Sequence, residues 1–225
     1  MSTPPADIID LLAGIRPGDA LDTVRSGRPQ ARENAQRSFE ALLEPAVPGD
    51  FSLAERYAVA VFVSSLHDFA AATEFYGDLL GDEAADLIPV VTEAAAAASA
   101  PGPFGQYREP GLAAESTDGT RWSPEAGVAE ALGIRLSAAL AHAHLLVVRP
   151  REARPEALHS LVDAGWTPDA IVSLSQLVAF LTFQLRLAWG LRVLAAAPAP
   201  LDAHGSDPAA HATPPPARAS LAEGV

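Results

Sequence analysis

Four side chains on apolar, helix-like segments could carry out acid–base chemistry or bind a small molecule: Tyr57, Tyr76, His67 and Arg186. Imidazole and phenol groups transfer protons, and a guanidinium holds a carboxylate through two parallel hydrogen bonds. A buried tyrosine hydroxyl needs a hydrogen-bond partner. The sequence leaves three partners open for the two phenols, namely each other, His67 or a ligand.

Tyr76 shares one face of a predicted helix with Phe69 and Ala72, because the three residues stand at positions i, i+3 and i+7. The favoured interpretation is ordinary packing of an apolar stripe in the core. The alternative is a cavity in the same place, lined by Tyr57 and Tyr76. Only the second interpretation gives these residues a catalytic or binding role.

Arg186 belongs to a narrow polar stripe with Ser175 and Thr182 on an otherwise apolar helix. We favour a hydrogen-bonded contact between helices or subunits, because buried charges are most often paired within a structure. The alternative is an Arg186 that binds the carboxylate of a ligand, since its planar fork suits a bidentate pair.

The remaining histidines do not form a metal site. His142 and His144 stand two apart on a helix and point roughly 200° apart, so they cannot hold one ion together, and we expect a structural role for them. Glu156 and His159 match the Glu-x-x-His spacing of di-iron bundles, but such sites need a second copy and further glutamates. We therefore expect neither a metal nor any other cofactor.

The composition excludes several kinds of chemistry. The 225 residues contain no cysteine and no lysine, and all 15 basic residues are arginine. Thiol nucleophiles, disulfides, cysteine-based metal sites and Schiff bases are therefore ruled out. The formal net charge of -13 argues against nucleic acid as a partner. We expect a cytoplasmic protein, because neither a signal peptide nor a membrane-spanning segment is apparent. Arginine without lysine and abundant alanine suit a GC-rich bacterial genome.

Helix signals position these residues in an all-α chain. Ser52 and Glu55 form a predicted capping box that opens a helix over 53–66, and a second helix over 68–80 ends at Gly81. The later predicted helices cover about 82–98, 124–148 (in one or two pieces), 155–164 and 168–196. A loop over 99–122 interrupts them, and the favoured interpretation of this loop is an exposed insertion. Residues 1–50 form an N-terminal helical extension, 51–197 the main domain and 198–225, with His204 and His211, a disordered tail rich in Pro and Ala.

The segment from Phe51 to Tyr76 resembles the core of the alkylhydroperoxidase D-like, or carboxymuconolactone decarboxylase, family. The segments Leu158–Ile171 and Ala179–Leu191 are similar to later parts of that family, so the resemblance covers roughly residues 29–197. It implies the helical fold of the family and a homo-oligomer. The long apolar helix from residue 168 is the expected subunit interface, because its apolar sides must be buried.

The resemblance places the functional positions of the family on residues that cannot do its redox chemistry. The two motif cysteines fall on Phe69 and Ala72, the histidine on Tyr76 and the glutamate on Tyr57. The framework of the motif is kept in Arg56, Val63, Ser64 and the turn His67-Asp68.

Three functions remain open on this basis. The first is a non-thiol binding or scaffold protein, with a small molecule as a possible ligand. The second is an acid–base enzyme of the decarboxylase or isomerase type that uses Tyr57, Tyr76, His67 and Arg186 as candidate catalytic residues. The third is a peroxidase-related oxidoreductase that acts with a cysteine-bearing partner.

Overall fold

The computed structural model describes residues 7–196, and within them it contains α-helices and no β-strand, which confirms the all-α prediction. The predicted disordered tail, with His204 and His211, lies outside the described residues. The α-helices in chain order are α1 (Ile8–Ala13), α2 (Ala20–Ser26), α3 (Pro29–Leu43), α4 (Leu53–Leu66), α5 (Ala70–Ala84), α6 (Leu87–Ala98), α7 (Ala126–Val148), α8 (Pro155–Asp163) and α9 (Pro168–Ala196).

Helix α4 lies at the centre of the fold, where it packs against α5, α6, α7 and α9. It begins at the predicted capping box, in which the Ser52 side chain accepts from the Glu55 amide and the Glu55 carboxylate accepts from the Ser52 amide. Every residue from 56 to 64 is buried. A helix without a solvent face must be surrounded by others, so α4 organises the core.

The N-terminal helices share this core. Ile9 in α1 and Phe39 and Leu43 in α3 are buried in the same apolar cluster as α4, and both helices pack against α9. Ion pairs then tie α1, α2 and α3 together: Arg25 meets Asp7 at 2.8 Å and Arg32 meets Asp22 at 2.9 Å. The described part of residues 1–50 is therefore packed into the core.

The structure moves the predicted end of α5 and decides the form of α7. Helix α5 does not end at Gly81 but continues to Ala84, because Gly81 does not adopt the positive φ that ends a helix and its neighbour Ile88 packs beside it. Helix α7 is interrupted at Gly133, where φ is 74°, so the prediction of a helix in one or two pieces is confirmed in its two-piece form.

Two helices, Ala126–Val148 and Pro168–Ala196, are long and apolar enough to cross a bilayer by length and composition alone. Half of each apolar window is buried inside the protein. A helix buried in the core of a water-soluble protein meets the same criteria of length and composition. These two helices are therefore weak evidence for a membrane span.

Candidate functional site

The turn between α4 and α5 positions three side chains of the candidate site: His67, Asp68 and Phe69. The amide of Phe69 donates to the Ser64 carbonyl at 3.2 Å, and the amide of Asp68 donates to the Ser65 carbonyl at 3.0 Å. This pair of bonds is a Schellman motif, which requires a residue in the left-handed conformation. Asp68 takes that conformation with φ 51°, at a position where glycine is the usual residue.

The use of Asp68 at this position predicts an unusual response to glycine. We expect Asp68→Gly to raise the free energy of unfolding by about 0.5–1 kcal/mol, because glycine has no Cβ to strain in the left-handed region. The same change at Asp78, which is exposed inside α5, should lower stability by a similar amount. Urea denaturation of both variants measures the effect, and equal signs for the two would contradict the explanation.

A pocket of about 400 Å³ lies between this turn and α9, open to solvent on one side. We call it the turn–α9 pocket, and the residues that line it are His67, Asp68, Phe69, Leu185, Arg186, Trp189 and Gly190. His67 and Arg186, two of the four candidates from the sequence, are therefore brought together by the fold. The lining contains neither Tyr57 nor Tyr76.

One wall of the turn–α9 pocket is aromatic. The rings of Phe69 and Trp189 meet edge to face with their centroids 5.8 Å apart, and the guanidinium carbon of Arg192 lies 5.4 Å from the Phe69 centroid. Phe69 is buried, whereas Trp189 is 55% exposed. A ligand that enters from solvent would therefore meet an apolar surface at Trp189, and the buried ring of Phe69 supports that surface from the core side.

The charged groups of the pocket form no ion pair with the part of the chain that the structure describes. Arg186 and Asp68 are exposed, and neither takes part in the ion pairs found among residues 7–196. Burial, assisted by the positive charge of Arg186, lowers the pKa of His67 to about 4, so this imidazole is neutral at pH 7. Of the described residues that line the pocket, only Arg186 carries a positive charge.

Tyr76 has a partner that the sequence analysis missed. Its hydroxyl donates to the Oε1 atom of Gln184 on α9, and both side chains are completely buried. The expectation that the phenols bond each other, His67 or a ligand is therefore wrong for Tyr76. Burial raises the pKa of Tyr76 far above that of a free phenol, and burial also raises the pKa of Tyr57. The sequence offered one signal for Gln184: it is an amide side chain on the side of the apolar helix that is predicted to be buried.

The stripe Phe69, Ala72 and Tyr76, which the resemblance aligned with two cysteines and a histidine, is part of the packed core. Phe69, Ala72 and Tyr76 are at most 2% exposed, and they belong to the main apolar cluster. Tyr57, on α4, is buried in the same cluster. The described structure therefore fits the packing interpretation of this stripe, and the space for a ligand lies beside it, in the turn–α9 pocket.

The polar stripe on α9 separates into different environments. The Ser175 hydroxyl donates to the Ile171 carbonyl at 2.9 Å and lies 3.3 Å from Nε2 of the buried His142, which makes it a contact between α9 and α7. Arg186 is exposed. Glu156 and His159 are exposed on α8, and no group of three or more possible metal ligands occurs within residues 7–196.

Most residues of the loop over 99–122 are exposed, in line with the favoured interpretation of an exposed insertion, but the end of the loop is anchored to the core. Trp122 packs on Phe62 and His144, with ring centroids 5.1 and 5.8 Å apart. The buried side chain of Arg149 donates to the carbonyls of Gly119 and Thr120 and pairs with Glu152. The 3-10 turn Pro110–Glu115, which precedes these anchors in the chain, is exposed. No sequence signal distinguishes Arg149 from the other arginines.

Comparisons with protein-family models, with curated proteins and with solved structures found no match to this chain.

Proposed function

We propose that this chain is a small-molecule-binding protein without thiol redox chemistry, and that its ligand occupies the turn–α9 pocket. The observation that carries the proposal is the combination, in one open pocket, of an aromatic wall with an arginine that has no partner in the described protein. The absence of cysteine from the whole chain supports the second half of the proposal. The residues shared with the alkylhydroperoxidase D-like motif support a divergent membership of that family.

The lining defines the class of ligand. Arg186 provides a planar, permanently charged donor for a carboxylate. Trp189 and Phe69 offer a surface on which an aromatic or branched apolar group can pack. His67 adds no charge at pH 7 because its pKa lies at about 4. We therefore propose a small carboxylic acid with an apolar or aromatic body.

Titration of the full chain with cinnamate, followed by tryptophan fluorescence, tests this proposal. We expect Arg186→Gln to weaken cinnamate binding about tenfold or more, because a charge-assisted hydrogen bond contributes about 1.5–3 kcal/mol. Trp189→Phe should remove the fluorescence change, since Trp189 is the pocket tryptophan. Arg37→Gln, at an exposed position on α3, is the matched control.

A neutral analogue identifies the carboxylate as the group that Arg186 holds. Cinnamamide should bind the unaltered protein more weakly than cinnamate does, and Arg186→Gln should not weaken cinnamamide binding further. The proposal fails if Arg186→Gln and Arg37→Gln affect cinnamate equally. It also fails if the purified protein reduces a hydroperoxide with an ordinary thiol reductant.

A further inference from the structure

The side of α9 that faces away from the core carries an apolar surface with no partner in the described protein. Its large apolar side chains are 36–56% exposed, namely Val172, Phe183, Leu187, Trp189, Val193 and Leu194. A fully exposed aromatic side chain has a surface on the order of 150–250 Å². On that scale, the six side chains together expose roughly 500 Å² of apolar surface. A patch of this size falls within the range of the largest patches on monomeric proteins, which are often functional.

Six exposed positions on this side follow the spacing of a helix-pairing seam. They are spaced alternately four and three residues apart, and we call them the α9 seam: Val172, Gln176, Ala179, Phe183, Arg186 and Gly190. This alternation keeps one line of side chains facing a second helix along its length. The α9 seam also alternates bulk, since Val172 and Phe183 are large whereas Ala179 and Gly190 are small.

Gly190 leaves room for a close neighbour on this side of α9. It lies inside a helix, where glycine costs about 0.5–1 kcal/mol relative to alanine. A Cβ added at Gly190 would meet no atom within 4 Å in the described protein. Packing inside the chain therefore gives no reason for glycine here, whereas a second helix that approaches closely would need it.

The charges on α9 favour a second copy in antiparallel orientation. Asp169 at the start of α9 is its only acidic residue, and Arg186 and Arg192 near its end are its only basic residues. Antiparallel pairing brings Asp169 of one copy toward Arg192 of the other, whereas parallel pairing would place like charges together. An anionic membrane is a poorer partner, because the chain carries a formal net charge of -13.

We propose that two copies of the chain pair through their α9 seams in antiparallel orientation. Ala179 then faces the partner's Phe183, Val172 faces the partner's Gly190, and Gln176 faces the partner's Arg186. Each small residue meets a large one, which is the complementarity that dense packing requires. The apolar surface of roughly 500 Å² is more than half of the roughly 800 Å² per subunit that stable interfaces bury.

This pairing also completes the turn–α9 pocket. Arg186 and Gly190 belong both to the seam and to the pocket lining. The partner's Val172 and Gln176 therefore lie across the open side of the pocket. The single chain provides the aromatic wall and the charge, and the second copy provides the missing cover.

Sedimentation equilibrium of the full chain tests the pairing without any ligand, so its outcome is separate from that of the cinnamate experiment. We expect a dimer of twice 23.3 kDa at micromolar concentration, and a 23.3 kDa monomer for Phe183→Glu. Ile134→Glu, which changes a 74% exposed residue on α7, is the control and should remain dimeric. Circular dichroism checks that both variants keep their helices. A monomeric unaltered protein, or equal masses for the two variants, overturns the proposal.

Cross-linking determines the orientation, because the chain has no cysteine of its own. We expect a short bis-maleimide to join Val172→Cys protein to Val193→Cys protein when the two are mixed. Each variant alone should cross-link poorly, since the two copies of residue 172 would be about 27 Å apart along antiparallel helices. Efficient cross-linking of Val172→Cys alone indicates parallel pairing and overturns the proposal. So does a monomer that co-sediments with vesicles of phosphatidylcholine and phosphatidylglycerol.

Discussion

Replacement of Arg56 by methionine is expected to lower the free energy of unfolding by about 3–5 kcal/mol, because it leaves buried polar groups without partners. The Arg56 guanidinium donates to the carbonyl oxygens of Phe51, Leu42 and Pro48 at 2.8, 2.6 and 3.2 Å. Its side chain is buried, and the guanidinium carbon lies 4.3 Å from the centroid of the Phe51 ring. Methionine keeps much of the apolar contact but donates no hydrogen bond.

The three carbonyls bonded by Arg56 belong to the end of α3 and to the connection that leads into α4. Arg56 therefore holds the incoming chain against the first turn of the central helix. Arg37→Met is the matched control, since Arg37 forms an exposed pair with Glu33 within α3 and should contribute less than about 0.5 kcal/mol. Urea denaturation at pH 7.5 measures both variants. A loss below about 1 kcal/mol for Arg56→Met would show that water replaces the guanidinium at these carbonyls.

Acidification from pH 7.5 to 5.5 is expected to lower the free energy of unfolding through the buried histidines, by at most about 1.4 kcal/mol for each one that stays neutral in the folded protein. Burial lowers the pKa of His67, His142 and His144 in the folded protein, to about 4 for His67. Below pH 6.5 the unfolded chain therefore binds protons that the folded chain does not bind, and stability falls with pH. A histidine that stays neutral in the folded protein lowers the free energy of unfolding by about 1.4 kcal/mol for each pH unit below 6.5. Partial exposure makes the contribution of His67 smaller.

In the unfolded chain, histidines change charge between pH 7.5 and 5.5, whereas most carboxyl groups change charge at lower pH. Burial raises the pKa of Asp10, so this group acts in the opposite direction and favours the folded state as the pH falls. The triple variant His67→Gln, His142→Gln and His144→Gln should show a much flatter dependence of unfolding free energy on pH. His159→Gln, at an exposed position on α8, should keep the steep dependence. If the triple variant keeps the steep dependence as well, the buried histidines are not its source.

Much of the secondary structure could be predicted because helix boundaries are set by nearby residues. The capping box at Ser52 and Glu55 and the proline at the first position of α9 indicate helix starts that the structure confirms. Gly81 misled the prediction, because a glycine ends a helix only where the backbone turns to positive φ. At the end of α4 the sequence indicated a turn at His67-Asp68, but it did not indicate that Asp68 would take the positive φ.

The residue content alone excludes thiol and Schiff-base mechanisms in any fold, because the chain has no cysteine and no lysine. It also identified His67 and Arg186, whose types alone suit ligand binding. The packing of distant helices brings these two into one pocket without Tyr57 and Tyr76, and it bonds Tyr76 to Gln184, 108 residues away. Periodicity reports which face of a helix is buried, whereas a side chain's partner depends on how distant helices pack, and no local pattern encodes that packing.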